Sequence, residues 1–499
     1  MKIAPRLIPF LALSACLCFV AQPATAQTAS PPTAAQAQPA AVALKLAAPF
    51  GDFMVLQRGV NVPVWGTARS GAEVSVSFAG QKKTTRADDA GKWEVRLAPL
   101  TASATGRVLA VSDGAQTVEF KDVLVGEVWI CSGQSNMEQG IVNGSTRNGR
   151  ADADAADYPL IRIRFVHKVG NIAPQTNLPS SGWQPCSPAS IRNGTWGGFS
   201  AAGYFFGSEL FKALNVPVGL IQTAWGGTRI EPWTPPVGFA SVHTLAHLGR
   251  PAARFHVPGS PMSLYNAMIH PLVPYAFRGA IWYQGESNLG EANYAQKTRA
   301  LVNGWREVWK QGDFPFYFVQ LAPYIYDNNA FAEKRPGLLP LSWEQQNIAA
   351  TTIPNVGMAI INDVGNLRDI HPGDKRTVGA RLARLALSRT YGKQFTDDCG
   401  PLFKSATIAG PQKIVVEFNN ALSGLTTRDG KTPDFFELAG KDGIFHPATT
   451  AVIVGKTVEV TCEELTAVKQ VRFAWRQDAS PNLTNGEKIP ASAFRWPTK

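Results

Sequence analysis

Two short segments carry residue types that could perform nucleophilic chemistry together. Ser135 follows the apolar run VLVGEVWIC in a glycine-rich stretch, and Asp369 and His371 lie two residues apart, just before a helical pattern. A serine nucleophile needs a base to take its proton and a carboxylate to orient that base. The Asp369–His371 segment could supply both groups, so these residues indicate a serine hydrolase.

Two further segments could supply donors for an oxyanion. Gly227 follows VGLIQTAW and could offer a backbone N–H with no side chain in the way. Gln284 follows GAIWY and could offer a side-chain amide. Taken singly, a serine in a glycine-rich stretch is usually a turn residue and Gly-Gly-Thr commonly begins a helix. The conjunction of all four segments favours a catalytic site.

Each of these segments follows a candidate strand of one predicted sheet. The candidate strands are apolar runs without alternation, at 123–131, 160–166, 217–223, 278–284, 316–322 and 356–362. Such runs are typical of strands buried on both faces. Helical patterns lie between several of them: FSAAGYFFGSELFKAL, YAQKTRALVNGWREVWK, WEQQNIAAT and DKRTVGARLARLALSRT. The alternation predicts an α/β fold with a parallel sheet covered on both sides, whose carboxyl ends form the active site.

Short strands with alternating apolar and polar residues are predicted on both sides of this α/β part. The whole chain is then predicted to have five segments. These are a signal peptide (1–26), a disordered leader (27–43), an N-terminal β-domain (44–121), an α/β domain (122–393) and a C-terminal β-rich region (394–499). Within the α/β domain we expect long irregular insertions around 137–157, 167–198 and 229–270. Whether the two β-regions pack together stays open.

The first 26 residues are typical of a secretory signal peptide. A basic start precedes an apolar run that reaches Ala21, and a small-x-small cleavage site ends at Ala26. The run is too short for a stable membrane span. We therefore expect export to the periplasm or the exterior, with lipid anchoring at Cys16 as the alternative. The Ala/Gln/Pro-rich residues 27–43 predict a disordered leader.

Composition excludes several function classes. Hydrophobic residues make up 45% of the chain and charged residues 17%, which argues against a mainly disordered protein. The net charge of +11 is dispersed without a block of like charges, so nucleic acid is not an expected partner. Thirteen tryptophans exceed the usual need of a core and fit stacking against sugars.

Four cysteines lie outside the predicted signal: Cys131, Cys186, Cys399 and Cys462. None forms a CxxC motif, so we expect no structural zinc site. Export would permit a disulfide between Cys399 and Cys462. Buried free thiols are the alternative.

Several long motifs resemble the sialate O-acetylesterase family of SGNH hydrolases. They are FGDFMVLQRGVNVPVWG, GEVWICSGQSNM, IQTAWGGTRIEPW, SPMSLYNAMIHPLVPYAFRGAIWYQGESN and DIHPGDKRTVGARLARLAL. The resemblance implies a flavodoxin-like three-layer domain with Ser135 as nucleophile, His371 as general base and Asp369 as its partner. It also implies an oxyanion hole made by the Ser135 and Gly227 N–H groups with the Gln284 side chain.

Some assignments keep an alternative. Many SGNH enzymes space the pair as DxxH, whereas this chain has DxH, so Asp363 is the substitute triad carboxylate. Gly226 is the alternative to Gly227. Glu286 cannot donate a hydrogen bond while ionised, and we expect it to brace the site.

The resemblance implies hydrolysis of acetyl esters on sugars, which needs no metal or cofactor. An acetyl group is small, so specificity must come from the sugar. Four residues in or next to the insertions are candidate sugar contacts, with loop packing as the alternative for each: Trp225, Arg229, Trp233 and Tyr265. Arg229 could pair with a sugar carboxylate, but a neutral polymer such as acetylated xylan or xyloglucan is equally compatible. Two other hypotheses are a glycoside hydrolase using Glu286 with Asp363 or Asp369, and a non-catalytic carbohydrate-binding protein.

Overall fold

A computed structural model describes residues 43–250, 254–326 and 337–497. The predicted signal peptide and all but the last residue of the predicted leader lie outside the described residues. The strands of the N-terminal half are β1 (Lys45–Leu46), β2 (Val55–Gln57), β3 (Val62–Thr67), β4 (Glu73–Phe78), β5 (Gln81–Arg86), β6 (Lys92–Leu97), β7 (Ser103–Ser112), β8 (Thr117–Gly133), β9 (Tyr158–Val166), β10 (Ser180–Cys186) and β11 (Val218–Ala224). Those that follow are β12 (Gly279–Tyr283), β13 (Phe316–Val319), β14 (Val356–Ala359), β15 (Leu402–Gly410), β16 (Lys413–Asn419), β17 (Leu425–Thr427), β18 (Phe436–Ala439), β19 (Phe445–Pro447), β20 (Thr450–Val454), β21 (Thr457–Thr461), β22 (Gln470–Phe473), β23 (Leu483–Asn485) and β24 (Phe494–Trp496).

The α-helices of the described ranges lie mostly between strands of the central sheet. They are α1 (Ser135–Glu138), α2 (Gly149–Asp154), α3 (Ala201–Leu214), α4 (Pro236–Ala240), α5 (Tyr294–Trp309), α6 (Leu338–Thr352) and α7 (Lys375–Arg389). The four helical patterns of the sequence correspond to α3, α5, α6 and α7. Among the described residues, no helix is long and apolar enough to cross a membrane.

The central sheet has the order β10-β9-β11-β8-β12-β13-β14. Neighbours from β9 to β14 in this order pair in parallel, so the predicted parallel core is confirmed. The sheet as a whole is mixed, however, because β10 pairs antiparallel with β9 and β7 pairs antiparallel with β8. The segment of β10 lies in a predicted irregular insertion, since Gly182 and Pro185 interrupt its strand pattern.

Helices cover both faces of this sheet. The ring of Trp129 in β8 lies 5.0 Å from the ring of Phe206 in α3. Trp282 of β12 is in register with Ser132, three residues after Trp129, so it points to the opposite face. There its ring lies 6.3 Å from the ring of Trp305 in α5. The strands between the two helix layers are therefore buried on both sides.

Strand β8 joins the N-terminal β-region to the central sheet. Its first six residues alternate between exposed and half-buried, and the remaining eleven are all buried. Strand β7 pairs with β8 as far as Val125, whereas β11 pairs with β8 from Glu127 onward and β12 from Trp129 onward. The predicted border between residues 121 and 122 therefore falls inside one strand, where the burial pattern changes from one face to both.

The C-terminal strands form three small sheets, with the orders β15-β16-β21-β20, β17-β23 and β19-β18-β22-β24. Their apolar side chains share a core with Leu339 and Trp343 of α6. The guanidinium of Arg495 in β24 holds the Glu344 carboxylate of α6 through two hydrogen bonds of 2.7 Å. The C-terminal strands thus pack directly on a helix of the α/β part.

All four cysteines outside the predicted signal are free and buried. The structure therefore has no Cys399–Cys462 disulfide and agrees with the free-thiol alternative. Burial raises the pKa of the Cys186 and Cys399 thiols to about 12. Both thiols stay protonated and unreactive at neutral pH.

Candidate active site

A sharp turn between β8 and α1 presents the hydroxyl of Ser135. Gly133, the last residue of β8, has φ +136°, and a Cβ there would lie 2.2 Å from the carbonyl oxygen of Tyr283 in β12. Only glycine fits so close to the neighbouring strand. The Gln134 N–H then donates to the same Tyr283 carbonyl at 2.9 Å, and the chain turns into α1 at Ser135.

His371 reaches this hydroxyl from the loop between β14 and α7. Its Nε2 lies 2.9 Å from Ser135 Oγ, across 236 residues of sequence. The loop is held where it meets α7, because the Asp374 carboxylate accepts a hydrogen bond from the Thr377 N–H and caps the helix. The structure thus brings together the two residues that are predicted as nucleophile and base.

Asp369 lies beside the other nitrogen of the same imidazole. Its Oδ1 is 3.5 Å from His371 Nδ1 and accepts a hydrogen bond of 2.9 Å from the His371 backbone N–H. Asp363, the substitute carboxylate, instead binds both terminal nitrogens of Arg381 at 2.6 and 2.7 Å. The sequence alone leaves both carboxylates as candidates, and the geometry favours Asp369.

Two backbone N–H groups are available beside Ser135. The N–H groups of Ser135 and Gly227 have no hydrogen-bond acceptor within the described ranges. Gly226 is not an alternative, because its N–H donates to Glu138 Oε2 at 2.6 Å. Gly227 has φ +75°, a left-handed conformation that favours glycine. The two free donors could stabilise an oxyanion at Ser135.

Gln284, the third predicted oxyanion donor, does not take that position. Its side chain is only 1% exposed. The amide nitrogen donates to Thr228 O at 3.1 Å and to Asn288 Oδ1 at 2.8 Å, and the amide oxygen accepts from the Tyr294 hydroxyl at 2.8 Å. Both amide hydrogens are therefore in use, and this part of the prediction is wrong. The residue joins the end of β12 to its neighbouring loops.

Asn136, which the sequence analysis missed, connects three segments under the Ser135–His371 pair. Its amide nitrogen donates to Glu286 Oε1 at 2.5 Å and to Ile370 O at 3.0 Å. Its amide oxygen accepts from Lys375 Nζ at 2.6 Å. Glu286 therefore contacts the site through Asn136, which agrees with the bracing role predicted for it. The signal was present in the GQSNM motif, but its hydrogen-bond partners lie 150 to 239 residues away.

Burial and charge adjust the titration of this cluster. Burial raises the pKa of Glu286 and lowers the pKa of Lys375 to about 7. Burial also lowers the pKa of His371, the Lys375 charge lowers it further, and Asp369 opposes both effects. His371 is therefore neutral at neutral pH, which is the state that a general base requires.

These groups open into a pocket of about 910 Å³. Its wall includes Ser135, His371, Gly227 and Glu286, and also three residues absent from the predictions: Glu138, Lys168 and Trp196. Trp196 and Lys168 lie in the insertion read as irregular, where no periodic pattern marks a functional residue. Among the described residues, no group of three or more His, Cys, Asp or Glu side chains is placed to hold a metal ion.

None of the four predicted sugar contacts is among the residues that line this pocket. Trp233 is 0% exposed and donates from its indole to Thr228 Oγ1, while Tyr265 is 4% exposed within the main core, so both predictions are wrong. Arg229 forms ion pairs with Glu231 and Glu291. Trp225 is half-buried, with the Lys168 ammonium 5.9 Å from its ring.

The sequence of this chain is similar to a family of carbohydrate esterases and to individual members of it. Residues 125–388 match the model of a carbohydrate esterase family described as sialic acid-specific acetylesterase. The chain is 29% identical to the sialate O-acetylesterase of Mus musculus, over 87% of this chain and 90% of that protein. Identity to the Homo sapiens sialate O-acetylesterase is 30%, over 78% and 77% of the two chains.

A solved structure is also similar. The crystal structure of a carbohydrate acetylesterase from Xanthomonas citri superposes with a TM-score of 0.81 at 34% identity. The superposition covers 91% of this chain and all of that one.

Proposed function

Because the chain belongs to the sialic acid-specific acetylesterase family of carbohydrate esterases, we propose that it removes O-acetyl groups from sugars with Ser135 as nucleophile. The chain is a carboxylic ester hydrolase, as its family is. One observation carries the residue assignment: His371 Nε2 lies 2.9 Å from Ser135 Oγ at the wall of a pocket large enough for a sugar.

In the first half of the proposed reaction, an acetyl group moves from the sugar to the enzyme. His371 Nε2 takes the Ser135 proton while Oγ attacks the acetyl carbonyl carbon. The Ser135 and Gly227 N–H groups stabilise the resulting oxyanion. The C–O bond to the sugar then breaks, the imidazolium gives its proton to the sugar oxygen, and an acetyl-enzyme remains.

Water completes the cycle by the same route. His371 takes a proton from the water as the water oxygen attacks the acetyl carbon. The bond from this carbon to Ser135 Oγ then breaks, the imidazolium returns its proton to Oγ, and the product leaves as acetic acid, which ionises to acetate. Asp369 supports both halves, since a carboxylate beside Nδ1 stabilises the imidazolium and keeps Nε2 directed at Ser135.

The pocket supports a sugar rather than a bare acetate ester as substrate. Its volume of about 910 Å³ is within the range of about 300–1,000 Å³ that is usual for ligand pockets. The relatives are named for sialate and the similar structure for carbohydrate in general. Acetylated sialate, xylan and xyloglucan are therefore the substrate classes to compare.

Two finer assignments also belong to this proposal. An SGNH-type, flavodoxin-like α/β part is supported by the order β11-β8-β12-β13-β14, which is 2-1-3-4-5 in chain order. In this assignment β9 and β10 extend one edge. Export of the chain remains a prediction from its first 26 residues.

The test is acetate release from a panel of O-acetylated sugars by the wild type, Ser135→Ala and Ser132→Ala. Ser135→Ala should lose several powers of ten in kcat, because it lacks the nucleophile. Ser132 is the matched control, since its buried hydroxyl has no hydrogen-bond partner within the described ranges and its removal should be nearly neutral.

Three results would contradict the proposal. Retention of more than about a tenth of the wild-type kcat by Ser135→Ala would exclude Ser135 as nucleophile. Release of reducing sugar ends without acetate would favour a glycoside hydrolase. Sugar binding without any hydrolysis would favour a carbohydrate-binding protein. Labelling by a serine-directed organophosphate, located by peptide mass spectrometry, identifies the nucleophile directly.

A further inference from the structure

Trp196 presents a large apolar surface beside the catalytic pair. Its side chain is 40% exposed, and it lines the same pocket as Ser135 and His371. The ring centroids of Trp196 and His371 lie 4.7 Å apart at an interplanar angle of 79°. An indole exposed in this way gives up apolar burial, so its position contributes less to folding than a buried tryptophan would.

The loop that carries Trp196 has an unfavourable backbone conformation at this residue. Trp196 has φ +50°, which is uncommon for a bulky side chain. Gly194, two residues earlier, and Gly197, the next residue, also have positive φ, and a Cβ on Gly197 would lie 2.5 Å from the Asn143 backbone nitrogen. Backbone strain of this kind is concentrated at functional sites. The Trp196 carbonyl accepts the Gly140 N–H at 3.2 Å, so the loop is anchored near α1.

A polar edge lies next to this ring. Lys168 Nζ is 2.5 Å from Glu138 Oε1, which also accepts a 2.7 Å hydrogen bond from the hydroxyl of Thr195, the residue before Trp196. The Glu138 side chain is almost fully buried, whereas the Lys168 side chain is partly exposed and lines the pocket. An ammonium has three hydrogens, and Glu138 engages one of them, so two remain for a ligand.

We propose that Trp196 and Lys168 form a sugar subsite of the pocket, which holds the pyranose ring that carries the acetyl group. The apolar C–H face of the ring packs on the indole, and ring hydroxyls accept hydrogen bonds from Lys168 Nζ. Because Glu138 compensates the Lys168 charge, the edge suits neutral hydroxyl groups. The subsite depends on the proposed function for its role in catalysis, since it positions the acetyl carbonyl at Ser135.

Kinetics with two kinds of ester test the subsite. Acetylated xylo-oligosaccharides and mono-O-acetyl sialic acid serve as sugar esters, and ethyl acetate is an ester without a ring. Trp196→Ala should lower kcat/KM on the better sugar ester by about 10–100-fold, mostly through KM, while ethyl acetate hydrolysis changes by less than about 3-fold. Trp196→Phe should restore most of the loss, because it keeps an aromatic face.

Phe53→Ala is the matched control. Phe53 is also an aromatic residue with positive φ, at +65°, and it is 39% exposed outside the pocket wall. It should leave both kinds of kinetics unchanged. Lys168→Ala should raise KM on the sugar ester with little effect on ethyl acetate.

Equal losses on both esters with Trp196→Ala would overturn the proposal, since Trp196 would then act only through His371. No loss on either ester would overturn it as well.

Binding separates this proposal from the proposed function. The Ser135→Ala chain should bind the uncleaved sugar esters in calorimetry, and adding Trp196→Ala should weaken binding by about 10-fold or more. If the wild type cleaves no sugar ester but this difference is found, the subsite stands and the proposed function fails. If the Ser135→Ala chain binds neither of the two sugar esters at millimolar concentration, the proposed subsite is wrong.

Discussion

Three groups surround the imidazole of His371: the Ser135 hydroxyl at Nε2, the Asp369 carboxylate near Nδ1, and the Trp196 ring against one side. The 3.5 Å separation from Asp369 is longer than the 2.9 Å separation from Ser135. The carboxylate makes its shorter bond to the His371 backbone, so it holds the loop as well as the ring. Substitutions here should therefore separate catalysis from stability.

Asp369→Asn should lower kcat by roughly 10²–10⁴-fold with little change in Tm, because the imidazolium loses its stabilising charge. Asp363→Asn should instead lower the free energy of unfolding by about 1–3 kcal/mol, since it weakens the paired hydrogen bonds to Arg381, with kcat nearly unchanged. Steady-state kinetics and urea unfolding of both variants make the comparison. The reverse pattern would make Asp363 the triad carboxylate.

The acid limb of the kcat/KM profile should lie below pH 6.5, the ordinary pKa of histidine, because burial and the Lys375 charge both lower the pKa of His371. Activity is lost as the pH falls through this pKa, where His371 gains a proton and can no longer accept one. Lys375→Met removes a positive charge, so it should move the acid limb to higher pH. A limb that stays in place or moves to lower pH would exclude His371 as the titrating base. The same substitution removes the ammonium that donates to Asn136. Any disorder that results there should lower the maximum kcat/KM, which is measured separately from the position of the acid limb.

At the scale of elements, the ends of β8 and β12 meet the loop that follows β14. Gly133 allows β8 to approach β12 closely, and Asn136 then ties the start of α1 to the start of α7 through Lys375. Gln284 performs a comparable task at the end of β12, where it joins Thr228 and Asn288. These interactions set the positions of the loops that hold Gly227 and His371.

Gln284→Ala should lower the free energy of unfolding by roughly 2–4 kcal/mol, because it leaves buried partners unsatisfied and opens a cavity. The kcat of the folded fraction should fall by less than about 10-fold, whereas loss of an oxyanion donor costs about 10²–10³-fold. Tyr294→Phe removes one hydrogen-bond partner of Gln284, so it should lower the free energy of unfolding by less than Gln284→Ala does, again with only a small fall in kcat. A large kcat loss with unchanged stability would restore Gln284 to the oxyanion hole.

On the scale of the whole molecule, two cores support the pocket. The larger core extends from the N-terminal β-region through both faces of the central sheet. The second joins α6 to the C-terminal strands and includes Tyr326, which lines the pocket. Hydrogen bonds such as Asn362 Nδ2 to Ala491 O, at 2.7 Å, link the α/β part to the C-terminal segment. Packing and hydrogen bonds join these parts, and the described cysteines form no disulfide.

A chain that begins at residue 27 should therefore show four free thiols per molecule in 6 M guanidinium and react slowly with a thiol reagent when folded. Its Tm should not change when dithiothreitol is added, whereas loss of a disulfide typically costs about 2–5 kcal/mol. Two reactive thiols in the unfolded, unreduced chain would instead indicate one disulfide, for which Cys399–Cys462 is the predicted pair.

Sequence patterns predicted the elements that depend on local information. Unalternated apolar runs identified the six parallel strands, because a strand buried on both faces needs apolar side chains throughout. The helices α5 and α7 agree with their predicted positions within one residue at each end. Strand β10 was missed, because its pairing with β9 depends on a neighbour rather than on its own pattern.

The same contrast applies to the candidate site. Ser135, Asp369 and His371 could be named from the sequence, because a nucleophile, a base and a carboxylate are recognisable residue types at the ends of strands. The direction of each side chain was decided only by the tertiary structure: Gln284 points into its own loop network, Trp233 and Tyr265 into the core, and Trp196 into the pocket. Residue type determines what a side chain can do chemically. Its direction depends on partners far away in the chain, whose positions are set only when the sheet and its loops pack together.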